Sequence, residues 1–471
     1  MVLQNHQHNR HNFISIILSA LLFLAVQASI TPTAAQSIIR DSEIEATLKT
    51  WLKPLLKSAN MSEGDVRIIL VASDQVNAFV AGGRNIFLYT GLILEPEMAS
   101  EVIGVMAHEL GHIEGGHLVR MRAELETASY QSMLAGILGI GIAALGGQPE
   151  IGSAIYSGGA SAAGKQFLKH SRTQESAADQ AALKYMESAG LSPKGLLSFM
   201  QKLEGQELIS SQYQNEYMRT HPVTRDRVQA MRAGLGRSSY ATKELPDKWQ
   251  EDFLRMKAKI RAYTTPSQAM SIYVRQRDTV VGQYALAIID YRQGRLGAAQ
   301  EKMAALLVKE PSNPYFHEFN GQILREDQQI DAAIKSYTKA VNLAPEASLI
   351  RIDLAKALSE KAGRNNVKLL QDALDHLNRA RQTERQTPSL YRLAATIYGR
   401  MGENGLAQLY LAEEAVLKGD MGEARMFARR AQAALREDDG ETPKKESKIT
   451  QGAWLRVQDI LQYLDNKKDS K

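Results

Sequence analysis

Cysteine is missing from all 471 residues. Its absence excludes disulfide staples, thiolate-held zinc or iron–sulfur sites, a thiol nucleophile and a lipidated N-terminal cysteine. Any metal must rest on histidines and carboxylates, and only ten histidines are present. A large excess of one charge is missing too. The formal net charge of +5 is small for this length and gives nucleic acid little to bind. With 23% charged and 44% hydrophobic residues, the chain is not collagen-like, disordered or a multi-span membrane protein. Its length implies two or three domains.

Long apolar runs are few. Residues 13–26 (FISIILSALLFLAV) are too short to span a bilayer but suit the apolar core of a secretory signal, and no acidic residue precedes Asp41. Thr33, Ala34 and Ala35 supply the small residues of a cleavage site, so residues 1–35 read as a signal peptide. The flank is weakly basic, with Arg10 beside His6, His8 and His11, which leaves an uncleaved anchor as the alternative. An exported chain without cysteine fits a bacterial periplasm. A second run, 131–147, carries no charge and five glycines, and a small-residue run follows at 151–164. It reads as a hydrophobic lid or a membrane-facing hairpin, or else as buried core helices; an integral membrane peptidase would depend on the same run.

The remaining pattern is mostly helical. A helix is expected from Asp41 to about Pro54, a buried strand over 66–72 (VRIILVA), and two short strands within 77–93 around Gly82 and Gly83. Residues 98–126 and 166–204 carry helical patterns. Residues 205–262 are polar, and from about 280 helices alternate. A charged linker over 436–450 precedes an amphipathic helix over 451–471 with Trp454, Val457, Ile460, Leu461 and Leu464 on its apolar side.

The chemistry is concentrated in His108-Glu109-Leu110-Gly111-His112. On a helix, positions i and i+4 share a face, so His108 and His112 can grip one cation. Zn²⁺ suits two imidazoles, and Glu109 stands beside them to take a proton from an attacking water. Ile103, Val105, Met106 and Ala107 make this helix apolar, so the imidazoles need partners. A third ligand is required. Glu175 and Asp179 again stand at i and i+4, so one can bind metal while the other orients a histidine, and Ala177 and Ala178 leave room for close helix approach. His117 lies about 140° off the ligand face and reads as structural. His170, His317 and His376 read as surface or packing residues.

Four segments in order, NAFVAGGRNIFLYTGLI, AHELGHIEGGH, SRTQESAAD and THPVTRDR, resemble the zinc peptidases of the HtpX and CAAX-prenyl-protease superfamily, a gluzincin clan. The resemblance covers about residues 66–230. It implies one zinc per chain on His108, His112 and Glu175, with Glu109 as general base and Asp179 behind the ligands. It also implies that the strand edge near Asn77, Ala78 and Phe79 pairs with an extended substrate. In similar proteins the histidine matching His221 either stabilises the oxyanion or occupies the open metal position in a latent state. Arg227 matches a family arginine that could meet developing negative charge.

Pro311 and Pro345 are 34 residues apart, the tetratricopeptide period. Between them Gly321, Ala333, Tyr337 and Ala340 fall where small and aromatic residues belong, and an insertion near 362–370 interrupts later copies. Residues 280–435 therefore resemble tetratricopeptide repeats, which imply a protein partner. The expected architecture is α+β, mostly helical: a zincin-like metallopeptidase domain with a small β-sheet over 36–262, then an all-α tetratricopeptide solenoid. This combination resembles periplasmic metalloproteases of the BepA type. It implies unfolded or misassembled outer-membrane proteins as substrates, outer-membrane assembly machinery reached through the repeats, and peripheral membrane contact through 131–164. The rival reading is a tetratricopeptide chaperone or assembly adaptor with a latent peptidase domain.

Overall fold

Asp41 opens the first helix by accepting a hydrogen bond from the Ile44 N–H at 2.9 Å. In a computed structural model, residues 38–116, 172–204, 216–363, 366–436 and 448–469 are described. Residues 1–35, read as a signal peptide, residues 131–164, His117 and His170 lie outside them. Helix α1 (Ser42–Ser58) continues past Pro54, because Leu55 and Leu56 extend the buried stripe of Ile44, Leu48, Trp51 and Leu52. Strands β1 (Ile38–Ile39), β2 (Arg67–Val71), β3 (Ala78–Ala81) and β4 (Asn85–Tyr89) form one sheet in the order β1-β2-β4-β3. Strands β2 and β4 run parallel, and β3 pairs antiparallel with β4 as an outer strand. The β3–β4 turn places Gly82 and Gly83 at φ 58° and 96°, which a side chain would strain. Across it Phe79 faces Phe87, their rings stacked 5.1 Å apart.

Leu70, Ala78, Val80, Ile86 and Leu88 turn the other face of the sheet toward the helices. A short helix α2 (Thr90–Leu94) leads to α3 (Ala99–Glu114), whose Val102, Ile103, Val105, Met106, Ala107 and Leu110 are wholly buried. The helical pattern expected over 166–204 is two helices, α4 (Arg172–Ala189) and α5 (Lys194–Leu203). Gly190 at φ 67° ends the first, and Pro193 starts the second. Helices α6 (Glu216–Thr220), α7 (Arg225–Arg237) and α8 (Asp247–Thr264) complete this half. Among the described residues no helix is long and apolar enough to cross a membrane.

Helix α9 (Pro266–Tyr273) leads into antiparallel pairs: α10 (Val280–Arg292) with α11 (Leu296–Lys309), α12 (Pro314–Glu326) with α13 (Ile330–Leu343), α14 (Ser348–Ala362) with α15 (Val367–Ala380), and α16 (Pro388–Arg400) with α17 (Asn404–Lys418). Helices α18 (Met421–Leu435) and α19 (Lys448–Asp469) follow, and Val457 and Leu464 of α19 are buried against them. This is a tetratricopeptide-like array. A Cβ on Gly321 would sit 3.0 Å from the Tyr337 ring, so the repeat glycine serves helix packing. Pro311 and Pro345 each follow the residue that caps a helix.

The described residues pack as one body, and α8 touches both the sheet-bearing half and the array. The seam between the halves is ionic. Lys259 meets Asp41 at 2.7 Å and Glu43 at 3.2 Å, and the Tyr284 hydroxyl donates to Glu43 at 2.9 Å. Arg255 reaches Glu310 at 2.8 Å, and Arg40 reaches Glu384 at 2.8 Å. The Ser42 hydroxyl donates to Glu318 Oε1 at 2.7 Å.

Burial pushes Glu318 up to about 8; Lys259 and the Ser42 hydroxyl oppose this, and Asp41 and Asp353 reinforce it. The folded protein thus holds a proton that the unfolded chain releases near its ordinary carboxyl range. Stability from this group falls as pH rises through the window between the two values, up to about 8. Glu318→Gln removes that loss. Urea midpoints at about pH 5 and about pH 9 should fall further for wild type than for the variant; equal falls would refute the buried, protonated carboxyl.

Candidate metal centre

The apolar character of α3 carries its histidines inward. His108, Glu109 and His112 are all 0% exposed. One turn apart, the Nε2 atoms of His108 and His112 converge to 3.1 Å. Helix α4 crosses α3 at Gly111, where a Cβ would lie 2.8 Å from the Ala178 carbonyl oxygen. The close approach expected of Ala177 and Ala178 belongs to Ala178 alone, since Ala177 faces outward. Positions 175, 178 and 179 share a helix face, and 177 stands opposite.

That crossing delivers Glu175 to the imidazoles. Its Oε2 is 3.4 Å from His108 Nε2, and its Oε1 is 3.3 Å from His112 Nε2. Asp179, one turn on, places Oδ1 3.0 Å from His108 Nδ1. His221 follows α6 and brings Nδ1 to 3.0 Å from Glu175 Oε1 and Nε2 to 3.1 Å from the Ala78 carbonyl oxygen. His108, His112, Glu175 and His221 each offer a ligand atom, all within 4.8 Å of one another and all buried. Among the described residues this is the one group of such donors.

Arg227 ties the carboxylates together. Its Nε and Nη2 donate to Asp179 at 2.7 and 2.9 Å. Its Nη1 donates to the Pro222 carbonyl at 2.7 Å and lies 2.8 Å from Glu175 Oε2. Burial alone would raise Glu175, but the charge of His221 and hydrogen bonds from the three histidines hold it well below the usual carboxylate range. Asp179 is lowered too: burial opposes ionisation, and hydrogen bonds from Arg227 and His108 outweigh it. Burial would lower His108, but Asp179 and Glu175 push it up to about 10. The anionic pair thus draws positive charge to the imidazoles, the charge a divalent cation would supply, so the donor set fits a metal ion.

Glu109 is different. Burial raises it, against the charges of His221 and His108, and neither carboxylate oxygen has a hydrogen-bond partner. His221 Nε2 is 3.5 Å from its Oε1.

Asn77, Ala78 and Phe79 stand at the start of the outer strand β3, next to this group. Asn77 Oδ1 accepts from the Thr220 hydroxyl at 3.2 Å, and Phe79 is buried on Phe87 and Tyr89. All three side chains are buried. His317, with Nε2 2.9 Å from the Pro311 carbonyl oxygen, and His376 are both half-buried and remote in the array. Tyr217 went unread in the sequence. It is buried, its ring lies 4.7 Å from His221, and its N–H donates to the Val76 carbonyl at 3.0 Å. A tyrosine in a polar stretch carries no signal of that role, and the His221 four residues on was the available pointer.

Residues 40–234 match the model of peptidase family M48. The chain is 24% identical over 332 residues to the beta-barrel assembly-enhancing protease of Yersinia pestis, covering 69% of this chain and 67% of that one. It is 24% identical over 335 residues to the protein of that name from Escherichia coli K12, covering 68% and 66%. The chain thus spans about two thirds of the length of these curated relatives. Among solved structures, YrrB, described as a TPR protein with an unusual peptide-binding site, aligns with TM-score 0.31 and 14% identity over 38% of this chain and 91% of its own. The buried donor group and the family match converge on one conclusion: residues 40–234 are a metalloprotease domain of peptidase family M48.

Proposed function

We propose that the chain is a zinc-dependent endopeptidase holding one zinc ion on His108, His112 and Glu175. The observation that carries this is the buried convergence of these donors around a carboxylate, Glu109, whose oxygens are both open. Zinc, when bound, polarises the scissile carbonyl and makes water a nucleophile near neutral pH. Glu109 accepts the water's proton on an open oxygen and passes it to the leaving amine. Asp179 fixes the ring of His108 through Nδ1, and Arg227 holds Asp179 and Glu175 in register. That role for Arg227 is positioning, because its donors are engaged with Asp179, Glu175 and Pro222.

His221 has two readings, a latent occupant of the open metal position or an oxyanion donor. Its hydrogen bond to the Ala78 carbonyl favours latency. An extended substrate adding to the β3 edge at Asn77, Ala78 and Phe79 would have to displace it.

The division into a peptidase domain over 36–262, a repeat domain over 280–435, a linker over 436–450 and a C-terminal helix is also proposed. The name of the relatives, beta-barrel assembly-enhancing protease, supports unfolded or misassembled outer-membrane proteins as substrates. It also supports a periplasmic location after removal of residues 1–35, and docking to the assembly machinery through the repeats. Peripheral membrane contact through 131–164 belongs to the same reading.

Glu109→Gln should reduce cleavage of an unfolded protein by about 10²-fold or more, with bound zinc unchanged by elemental analysis. Absence of zinc from the purified native protein, with cleavage indifferent to Glu109, would refute the enzyme reading. His221→Ala should raise basal proteolysis if the histidine is a latent occupant; a large loss of rate would assign the oxyanion role instead. Arg227→Lys gives up the bidentate grip on Asp179 and should weaken zinc retention about ten-fold or more in a chelator competition. Unchanged retention would remove Arg227 from the positioning of the ligands.

A further inference from the structure

His221 stands one residue past the end of α6, where no helix fixes the direction of its side chain. Its imidazole is nevertheless aimed, with Nδ1 3.0 Å from Glu175 Oε1 and Nε2 3.1 Å from the Ala78 carbonyl oxygen. Glu109 Oε1 is 3.5 Å from Nε2, and the rings of His108 and His112 lie at 5.4 and 5.2 Å. These neighbours belong to the metal centre or to β3. Tyr217 belongs to neither. Its ring lies 4.7 Å from the imidazole at an angle of 30°, flatter than His108 at 80° or His112 at 53°. A near-parallel ring in contact resists a turn of the imidazole out of its plane.

Tyr217 is itself fixed from two sides. Phe199 of α5 meets its ring edge-on, at 5.1 Å and 84°. Helix α6 begins at Glu216, so the Tyr217 N–H is a first-turn donor with no carbonyl in its own helix, and Val76 supplies one at 3.0 Å. The Tyr217 carbonyl in turn accepts from the His221 N–H at 2.7 Å. The Val76 and Ala78 carbonyls both turn toward α6, whereas the Asn77 carbonyl between them accepts from the Tyr89 N–H at 3.0 Å. The same stretch of chain thus holds α6 at Val76 through Tyr217 and at Ala78 through His221. Burial pushes the Tyr217 hydroxyl well above its ordinary value; Glu109 and Glu175 reinforce this, and Arg227 opposes it. The ring therefore stays neutral and does not compete with Glu175 for the charge of His221.

We propose that Tyr217 is a positioning residue for His221: its ring, backed by Phe199 and anchored through its own N–H to Val76, keeps the imidazole on Glu175 and on the Ala78 carbonyl. The assignment rests on the peptidase reading of the site and names what aims one of its residues. It holds for either part His221 plays, because latency and oxyanion donation both need the imidazole aimed.

The first measurement needs neither metal nor cleavage. Deuterium exchange at the imidazole C2 position is followed by mass spectrometry on the full chain, freed of metal with a chelator, at neutral pH. Tyr217→Leu should raise exchange at His221 about five-fold, with His108 and His112 changing less than about two-fold. Tyr217→Phe, which keeps the ring, should bring His221 back to within about two-fold of wild type. The second measurement is a double-mutant cycle on cleavage of an unfolded protein. Tyr217→Leu should change the rate about five-fold, in the same direction as His221→Ala, and by less than about two-fold once His221 is alanine. An equally large change in the His221→Ala background or exchange rising equally at all three histidines would overturn the proposal. So would failure of Tyr217→Phe to restore His221, which would assign the effect to the hydroxyl. Should Tyr217→Leu fail to fold by circular dichroism, Tyr217→Met takes its place in both measurements. If cleavage does not depend on Glu109, the peptidase reading falls, and the exchange ratios alone decide whether Tyr217 aims His221.

Discussion

Seven ionisable side chains, His108, Glu109, His112, Glu175, Asp179, His221 and Arg227, are held out of water around one point, and the rest of the structure depends on making that tolerable. An isolated buried charge costs several kcal/mol even after relaxation. Here six of the seven are arranged as a chain of complementary partners. Arg227 clamps Asp179 with two nitrogens, Asp179 faces His108, and Glu175 faces three imidazoles. The exception is Glu109, whose oxygens accept no hydrogen bond and whose ion-pair neighbour is His221 at 3.5 Å. The partners hold the group together, and Glu109 stands beside them without a hydrogen bond.

The backbone follows from this demand. Glu175 reaches the imidazoles only if α4 lies directly on α3, and Gly111 with Ala178 permits that distance. Substituting a larger residue at either point would push the carboxylate away from the histidines without touching a ligand. Buried Glu101 meets the exposed Lys202 at 2.9 Å, which ties α5 to the other side of the same helix. Helix α3 is thus gripped on both flanks, which keeps two long imidazole side chains in one orientation.

Much of this was legible in the sequence, for physical reasons. The i, i+4 histidines declare a shared helix face whatever surrounds them, and an apolar helix around them declares burial. The Glu175–Asp179 spacing does the same for the carboxylates. Helical period also decides between Ala177 and Ala178, a distinction that the spacing already contained. Gly82–Gly83 predicted the β3–β4 turn, and the 34-residue interval between Pro311 and Pro345 predicted the repeats. The break at Gly190 was hidden because the helical pattern resumes after it. Ser42 with Glu318 and Arg40 with Glu384 were hidden for a different reason: such pairs join positions hundreds of residues apart, and each member alone is an ordinary polar surface residue. A single chain displays residue types and local periods, and it does not display long-range partners.

The sheet is where these two kinds of information meet. It has only four strands, and its two edges face different duties. At one edge the β1 end is pinned to the array through Arg40 and Glu384, and Arg67 of the adjoining strand reaches Gln386 at 2.9 Å. At the other edge the Ala78 carbonyl of β3 is held by His221. An outer strand with free backbone groups is a template for any extended chain, so leaving it open costs specificity. His221, which also belongs to the buried donor group, covers part of that strand. Because β2 and β4 pair in continuous register between the two edges, the array and His221 brace the same small sheet from opposite sides. The seam is therefore part of the frame that holds the sheet beside the donor group, as well as the attachment of the helical array.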